Sequence, residues 1–70
     1  MSAPWDLKHI KACAQAMATA REFCGSPGFA MIEYEEENEL PKPDLPTRAA
    51  IGSEYNVIWQ SYRKAAGVKP

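Results

Sequence analysis

The chain has 70 residues, of which 46% are hydrophobic and 24% charged, and its formal net charge is −1. This composition predicts one folded domain over residues 1–70 and excludes wholesale disorder, while the near-neutral charge disfavours the basic surface that DNA or RNA phosphates require. A domain of this size buries only roughly 60% of the surface that its unfolded chain exposes, so its core should be marginal by itself.

The first predicted element is a helix from about Ala3 to Cys24. Ser2 can cap it, Asp6 suits the positive end of the helix dipole, and Gly25 is placed to end it. Its apolar side chains recur at spacings of three and four and spread over more than half of the circumference, which is wider than one neighbouring helix covers. Either a second internal element or another chain should cover the excess, so a homodimer is one expectation.

A turn is predicted at residues 25–28, and the segment that follows, residues 29–39, is ambiguous. Ser26 as an N-cap and Pro27 at the first helical position favour a short acidic helix through about Asn38. Aromatic and β-branched residues also permit a short strand. Helix is preferred because a lone strand would have nothing to pair with inside this chain.

Three prolines in residues 40–46 predict a stiff, extended connector that carries the chain back across the first helix. The last helix should begin near Asp44 or Thr47 and run to about Ala66, with Gly67 as its stop. Gly52 is a point where this helix could kink or start late.

The predicted fold class is therefore all-α. The expected architecture is an antiparallel pair of long helices, with a short acidic helix and a proline-rich connector between them.

Catalytic and metal-binding residues are scarce in the sequence. His9 is the single histidine, and Cys13, four residues later on the same helix face, could form a thiol–imidazole pair or half of a metal site with Asp6. A core role is favoured because Cys13 lies on the apolar stripe, and a zinc site would still lack a fourth ligand. We therefore expect no enzyme activity, no cofactor and no metal.

The sequence favours a cytoplasmic protein that does not enter a membrane. Two cysteines are too few for the disulfide framework of a small secreted scaffold, and Cys13 and Cys24 would lie about 16 Å apart on one helix. No apolar run approaches the length of about 18 residues that a membrane span needs, and the first residues do not resemble a secretory signal.

An aromatic cluster on the last helix is the first candidate binding site. Tyr55, Trp59 and Tyr62 share one edge, with Arg63 beside them, and Tyr, Trp and Arg are enriched at interface hot spots. The alternative is that the rings fill the core, which suits Tyr55 and Tyr62 better than Trp59. Trp5, at the far edge of the first helix's apolar arc, is a further candidate contact.

The acidic run that contains Glu35, Glu36 and Glu37 is the second candidate. Residues 28–44 carry six acidic residues and one lysine, a local charge of −5. This run is either a solvated helix face that keeps the protein soluble or a patch that docks on a basic surface. An alternative function is that of a nucleic-acid mimic that blocks a nucleic-acid-binding protein, although such mimics usually carry a much larger negative charge.

The sequence thus predicts a small non-catalytic protein-binding module, such as an inhibitor, an adaptor or an assembly factor. It would act by steric occlusion or scaffolding, with helix-borne aromatic side chains that contact a basic or apolar groove of another protein. In size and style it is comparable to phage-encoded factors that bind host enzymes, which is an analogy and not a family resemblance. Direct nucleic-acid binding is not expected.

Overall fold

The computed structural model describes residues 4–65, which form three helices. These are α1 (Leu7–Glu22), α2 (Pro27–Glu37) and α3 (Leu45–Ala65). The predicted all-α class is confirmed, and residues 4–65 contain no strand, so the strand alternative for residues 29–39 is wrong.

Helix α1 begins four residues later than predicted. Asp6 is extended at the N-cap, and its carboxylate accepts a hydrogen bond from the His9 backbone N–H at 3.0 Å. This bond satisfies one of the amides that a helix leaves free at its start. Asp6 therefore caps the helix, and Ser2 and Ala3 lie outside the described residues.

The end of α1 has the hydrogen bonds of a Schellman motif. The Cys24 N–H donates to the Arg21 carbonyl at 3.1 Å, and the Gly25 N–H donates to the Ala20 carbonyl at 2.6 Å. Cys24 occupies the left-handed position, with φ 63°. Gly25 marks the helix end for a different reason: a Cβ there would lie 3.0 Å from the Ala20 carbonyl oxygen.

Helix α2 has the same two kinds of cap as α1, a side-chain oxygen at its start and a Schellman motif at its end. The Ser26 hydroxyl accepts a hydrogen bond from the Phe29 N–H at 3.3 Å, and Pro27 opens the helix. At its end the Leu40 N–H donates to the Glu35 carbonyl at 2.9 Å, and Glu39 takes the left-handed conformation with φ 53°. Two helices thus end on a Schellman motif without glycine at the left-handed position.

Helix α3 begins at the earlier of the two predicted starts. The Asp44 carboxylate accepts a hydrogen bond from the Thr47 N–H at 3.0 Å, and hydrogen bonds from the Thr47 side chain and backbone lower the pKa of Asp44. The helix continues through Gly52, whose surroundings are open. Ala66 and Gly67, where its end was predicted, lie outside the described residues.

Helix α1 is the centre of the fold. Within residues 4–65, α2 and α3 both pack on α1 and do not pack on each other, which gives an elongated molecule of 43 × 19 × 17 Å. α3 runs antiparallel to α1, since Gln15 and Arg21 of α1 pair with Tyr62 and Tyr55 of α3 respectively. α2 is also antiparallel to α1, because it starts at the short turn after α1 and its Tyr34, near its end, pairs with His9 near the start of α1.

The core is thin for the length of the helices. Its buried hydrophobic side chains are Trp5, Cys13, Ala14, Ala18 and Ile51. Of these, Ile51 and Cys13 are the largest that are fully buried. Two internal neighbours cover much of the wide apolar arc of α1, while Leu7 and Phe23 at its ends stay exposed.

Candidate functional site

The aromatic edge, defined as Tyr55, Trp59, Tyr62 and Arg63, runs along the seam between α3 and α1. The three rings are half-buried, whereas Arg63 is exposed. Trp59 and Tyr62 meet edge to face, with ring centroids 6.3 Å apart and planes at 62°. The rings are therefore neither core nor free surface, and each can present part of its area to a partner.

Polar side chains of α1 hold these rings in place. The Arg21 guanidinium lies 4.3 Å from the centroid of the Trp59 ring, and its Nη1 donates to the Tyr55 hydroxyl at 2.9 Å. Gln15 donates its amide N–H to the Tyr62 hydroxyl. A cation over an indole at an exposed site contributes about 0.5–1 kcal/mol. Such contacts reduce the conformational freedom that the rings would lose on binding.

Arg21 and Gln15 are not among the residues that the sequence predicted for this cluster. On a helical projection, Arg21 falls between Ile10 and Ala14, inside the apolar arc of α1. A cation in that position must reach a carboxylate, water or an aromatic face. The position of Arg21 on the apolar face of α1 was therefore the signal in the sequence for its contact with Trp59.

Trp5 is a core residue, which corrects the expectation that it contacts a partner. It is 6% exposed, its indole Nε1 donates to the Pro41 carbonyl at 2.7 Å, and its ring lies 6.1 Å from that of Tyr34. The expectation failed because Trp5 precedes α1 instead of belonging to it, so the helical projection did not apply. Its bond fastens the residue before α1 to the connector after α2.

The acidic run is divided between core and surface. Glu35 is 8% exposed, whereas Glu36 and Glu37 are exposed. Burial, and after it the charge of Glu35, raise the pKa of the Cys13 thiol from 9.0 to about 11. Glu35 is therefore turned toward α1 and is withdrawn from the candidate surface, which leaves Glu36 and Glu37 of the predicted three.

His9 and Cys13 share no hydrogen bond within residues 4–65, and each has other surroundings. The Nδ1 of His9 shares a hydrogen bond of 2.9 Å with the Tyr34 hydroxyl, and the two rings lie 5.9 Å apart, edge to face. The raised pKa keeps the Cys13 thiol protonated near neutral pH, where a thiolate would be needed for nucleophilic attack. In the part of the chain that is described, no three His, Cys, Asp or Glu side chains are grouped to hold a metal.

A second surface, which the sequence analysis did not single out, lies on the outer face of α2. Phe29 is 61% exposed and Ile32 46%, and they are neighbours on a helix at spacing i and i+3. Glu33 and Glu36 flank them and are exposed. The outer face of α2, defined as these four residues, combines apolar and acidic groups.

An open groove of about 360 Å³ separates this face from α1. Its lining consists of three alanines, one threonine, one tyrosine and two glutamates: Ala16, Ala20, Ala30, Thr19, Tyr34, Glu33 and Glu37. The groove therefore has a largely apolar lining with two carboxylates of α2 among it.

Comparisons with known proteins identify no relative: no protein-family model, curated protein or solved structure matches the chain. None of the helices in residues 4–65 combines the length and the hydropathy that crossing a bilayer requires.

Proposed function

We propose that the protein is a non-catalytic protein-binding module whose aromatic edge contacts another protein. The main observation in support is the Arg21–Trp59 contact of 4.3 Å, which holds a half-buried tryptophan beside two tyrosines and an exposed arginine. Residues of these types dominate binding hot spots, and a fixed ring loses little conformational entropy when it binds.

The proposed mechanism is steric occlusion or scaffolding. The domain is a thin rod, and a partner that binds along the α1–α3 seam would meet Trp59 at the middle and Arg63 one turn further on. Glu36 and Glu37, on the other flank of the molecule, would orient the encounter with a basic surface and affect the association rate more than the affinity.

Two further elements belong to this proposal. A cytoplasmic location is supported by the two cysteines, which are both free. A homodimer would have to use an exposed surface such as the outer face of α2, because α2 and α3 already pack on α1. Sedimentation over a series of protein concentrations measures this directly.

The alternative of a nucleic-acid mimic has less support. It requires a regular row of carboxylates that imitates phosphate spacing, and the burial of Glu35 interrupts that row. Exposed Phe29 and Ile32 lie on the same helix, where a mimic of a hydrated phosphate backbone would carry polar groups.

The test is capture of the partner from the native host with the wild-type protein, identification by mass spectrometry, and measurement of its Kd for matched variants. Trp59→Ala should weaken binding by about 30-fold or more, which corresponds to a hot spot of 2 kcal/mol. Val57→Ala is the control, because Val57 lies on α3 outside the aromatic edge and is 67% exposed.

Arg63→Ala separates a contact from a folding effect. Arg63 is exposed, so the variant should keep its helical circular dichroism and lose affinity. Unchanged affinity of both Trp59→Ala and Arg63→Ala for the captured partner would refute the proposal.

A further inference from the structure

The groove between α1 and α2 has the shape and lining for a long side chain. It has a volume of about 360 Å³ and is open to solvent, and its apolar part includes Ala16, Ala20 and Ala30. Alanines leave room because they carry no side chain beyond Cβ. A flexible aliphatic stem can lie on such a surface while its charged end remains near water.

The charges in the groove are of one sign. Glu33 and Glu37 lie one helical turn apart on α2, at the spacing where like charges repel. Glu37 also lies in the last turn of the helix, which contains no basic residue, so it faces the negative end of the helix dipole. Both effects are unfavourable in the isolated domain, and a cation bound between the two carboxylates would relieve both.

We propose that this groove binds an arginine side chain presented by a partner protein. The aliphatic stem would lie on the alanines, and the guanidinium would bridge the carboxylates of Glu33 and Glu37. Arginine fits better than lysine because its planar group can pair with two carboxylates, is more weakly hydrated and stacks on aromatic rings, of which Tyr34 lines the groove.

This site is separate from the aromatic edge. The edge lies on the α1–α3 seam, whereas the groove lies between α1 and α2. The inference therefore does not rest on the proposed function, and the two can fail independently.

The experiment is an NMR titration of the full chain with an acetylated and amidated hexa-arginine peptide at low salt. Backbone amide shifts should concentrate at Ala16, Thr19, Ala20 and Ala30, and hexa-lysine should bind several-fold more weakly. Equal binding of the two peptides, or shifts spread evenly over all acidic residues, would show unspecific attraction of charge and overturn the proposal.

Two double variants with the same charge change distinguish the groove from general acidity. Glu33→Gln with Glu37→Gln should weaken hexa-arginine binding about five- to tenfold, since two exposed ion pairs at about 0.5–0.7 kcal/mol each are lost. Glu36→Gln with Glu39→Gln removes two exposed carboxylates that do not line the groove, and should weaken binding by no more than about twofold, the general electrostatic share. Equal losses would refute the site.

Two controls complete the design. The variant that lacks Glu33 and Glu37 loses a repulsive pair, so it should melt no lower than the wild type, and its loss of binding cannot come from unfolding. Trp59→Ala should leave hexa-arginine binding unchanged. A parallel loss in Trp59→Ala would place the peptide on the aromatic edge and overturn the groove assignment.

Discussion

Helices α2 and α3 pack on the same central helix but differ in how their charges and apolar groups are arranged. α3 begins on the Asp44 cap and ends with Arg63 and Lys64 in its last turn, so both ends suit the helix dipole. Its exposed residues include the neutral polar Ser53, Asn56 and Gln60 and the apolar Val57. α2 has a good cap at Ser26 but ends on glutamates, with no basic residue in its last turn.

The two helices also differ in how deeply they bury their apolar side chains. Both helices expose large hydrophobic side chains, Leu45 and Val57 on α3 and Phe29 and Ile32 on α2, but only α3 has a buried one, Ile51. Sequences depart from the rules of stability mainly at functional sites. α3 thus combines a buried anchor, Ile51, with the proposed aromatic edge, whereas α2 keeps like charges that a basic partner would make favourable.

The largest expected effect is at Ile51. Ile51→Ala should lower the free energy of unfolding by about 2–5 kcal/mol, because Ile51 is 1% exposed and the change leaves a cavity. Urea unfolding followed by circular dichroism measures this loss. If the alanine variant is unfolded, Ile51→Val, expected to cost about 0.5–1.5 kcal/mol, keeps the measurement within range.

Ile32→Ala is the matched change on α2 and should alter the free energy of unfolding by no more than about 0.5 kcal/mol, because Ile32 is 46% exposed. A cost at Ile32 comparable to that at Ile51 would contradict the division between the two helices.

The second prediction concerns alkaline pH and the α1–α2 seam. The pKa of Cys13 is raised from 9.0 to about 11, so the folded state holds its thiol proton more tightly than the unfolded state. The resulting stability is present below pH 9 and should be lost as the pH rises toward 11, by about 2–3 kcal/mol in total. Burial also raises the pKa of Tyr34, which acts in the same direction.

Urea unfolding at several pH values between 8 and 11 measures how the free energy of unfolding changes with pH. This slope can be compared in order of magnitude with the slope that proton linkage predicts. Cys13→Ala is the control, because it removes the buried thiol and retains Tyr34. Its slope should be clearly smaller, and an identical pH dependence in the two proteins would assign the effect to groups other than Cys13.

The smallest predicted effect is at the end of α2. Glu39 has φ 53°, a conformation that costs a side chain roughly 1–2 kcal/mol and glycine almost nothing. Glu39→Gly should therefore raise the free energy of unfolding by about 1 kcal/mol, after allowance for the greater freedom of glycine in the unfolded chain. Thermal or urea unfolding measures the gain.

Glu36→Gly gives the opposite sign with the same chemical change, because Glu36 lies inside α2, where glycine costs about 1 kcal/mol. A loss of stability in Glu39→Gly would show that the Schellman motif at this end does not govern the stability of α2.

The sequence was informative where periodicity and caps act locally. The spacing of apolar residues and the Ser26–Pro27 pair located all three helices, and Asp44 was one of the two predicted starts of α3. The start of α1 was missed because Ser2 and Asp6 are both good caps. The choice between them depends on Trp5, whose indole is bonded to Pro41 in the connector after α2. Contacts between distant residues carry no local signal.

The candidate sites show the same limit. The aromatic residues of α3 could be identified because Tyr, Trp and Arg share one helix edge, but their fixation by Arg21 and Gln15 depends on how α1 and α3 pair. Glu35 looked like its acidic neighbours, and its burial follows from the rotation of α2 against Cys13. Helix rotation is set by packing, which a single sequence does not specify.

The hydrogen bond from Trp5 to the Pro41 carbonyl also makes the fluorescence of Trp5 a probe of the connector. The two indoles of the protein lie in different parts of the molecule, so a chain that retains only Trp5, with Trp59 replaced by phenylalanine, carries one fluorophore in the core, beside the connector and Tyr34 of α2. A red shift of its emission before the helices melt would signal that the connector had come away while α1 and α3 were still joined.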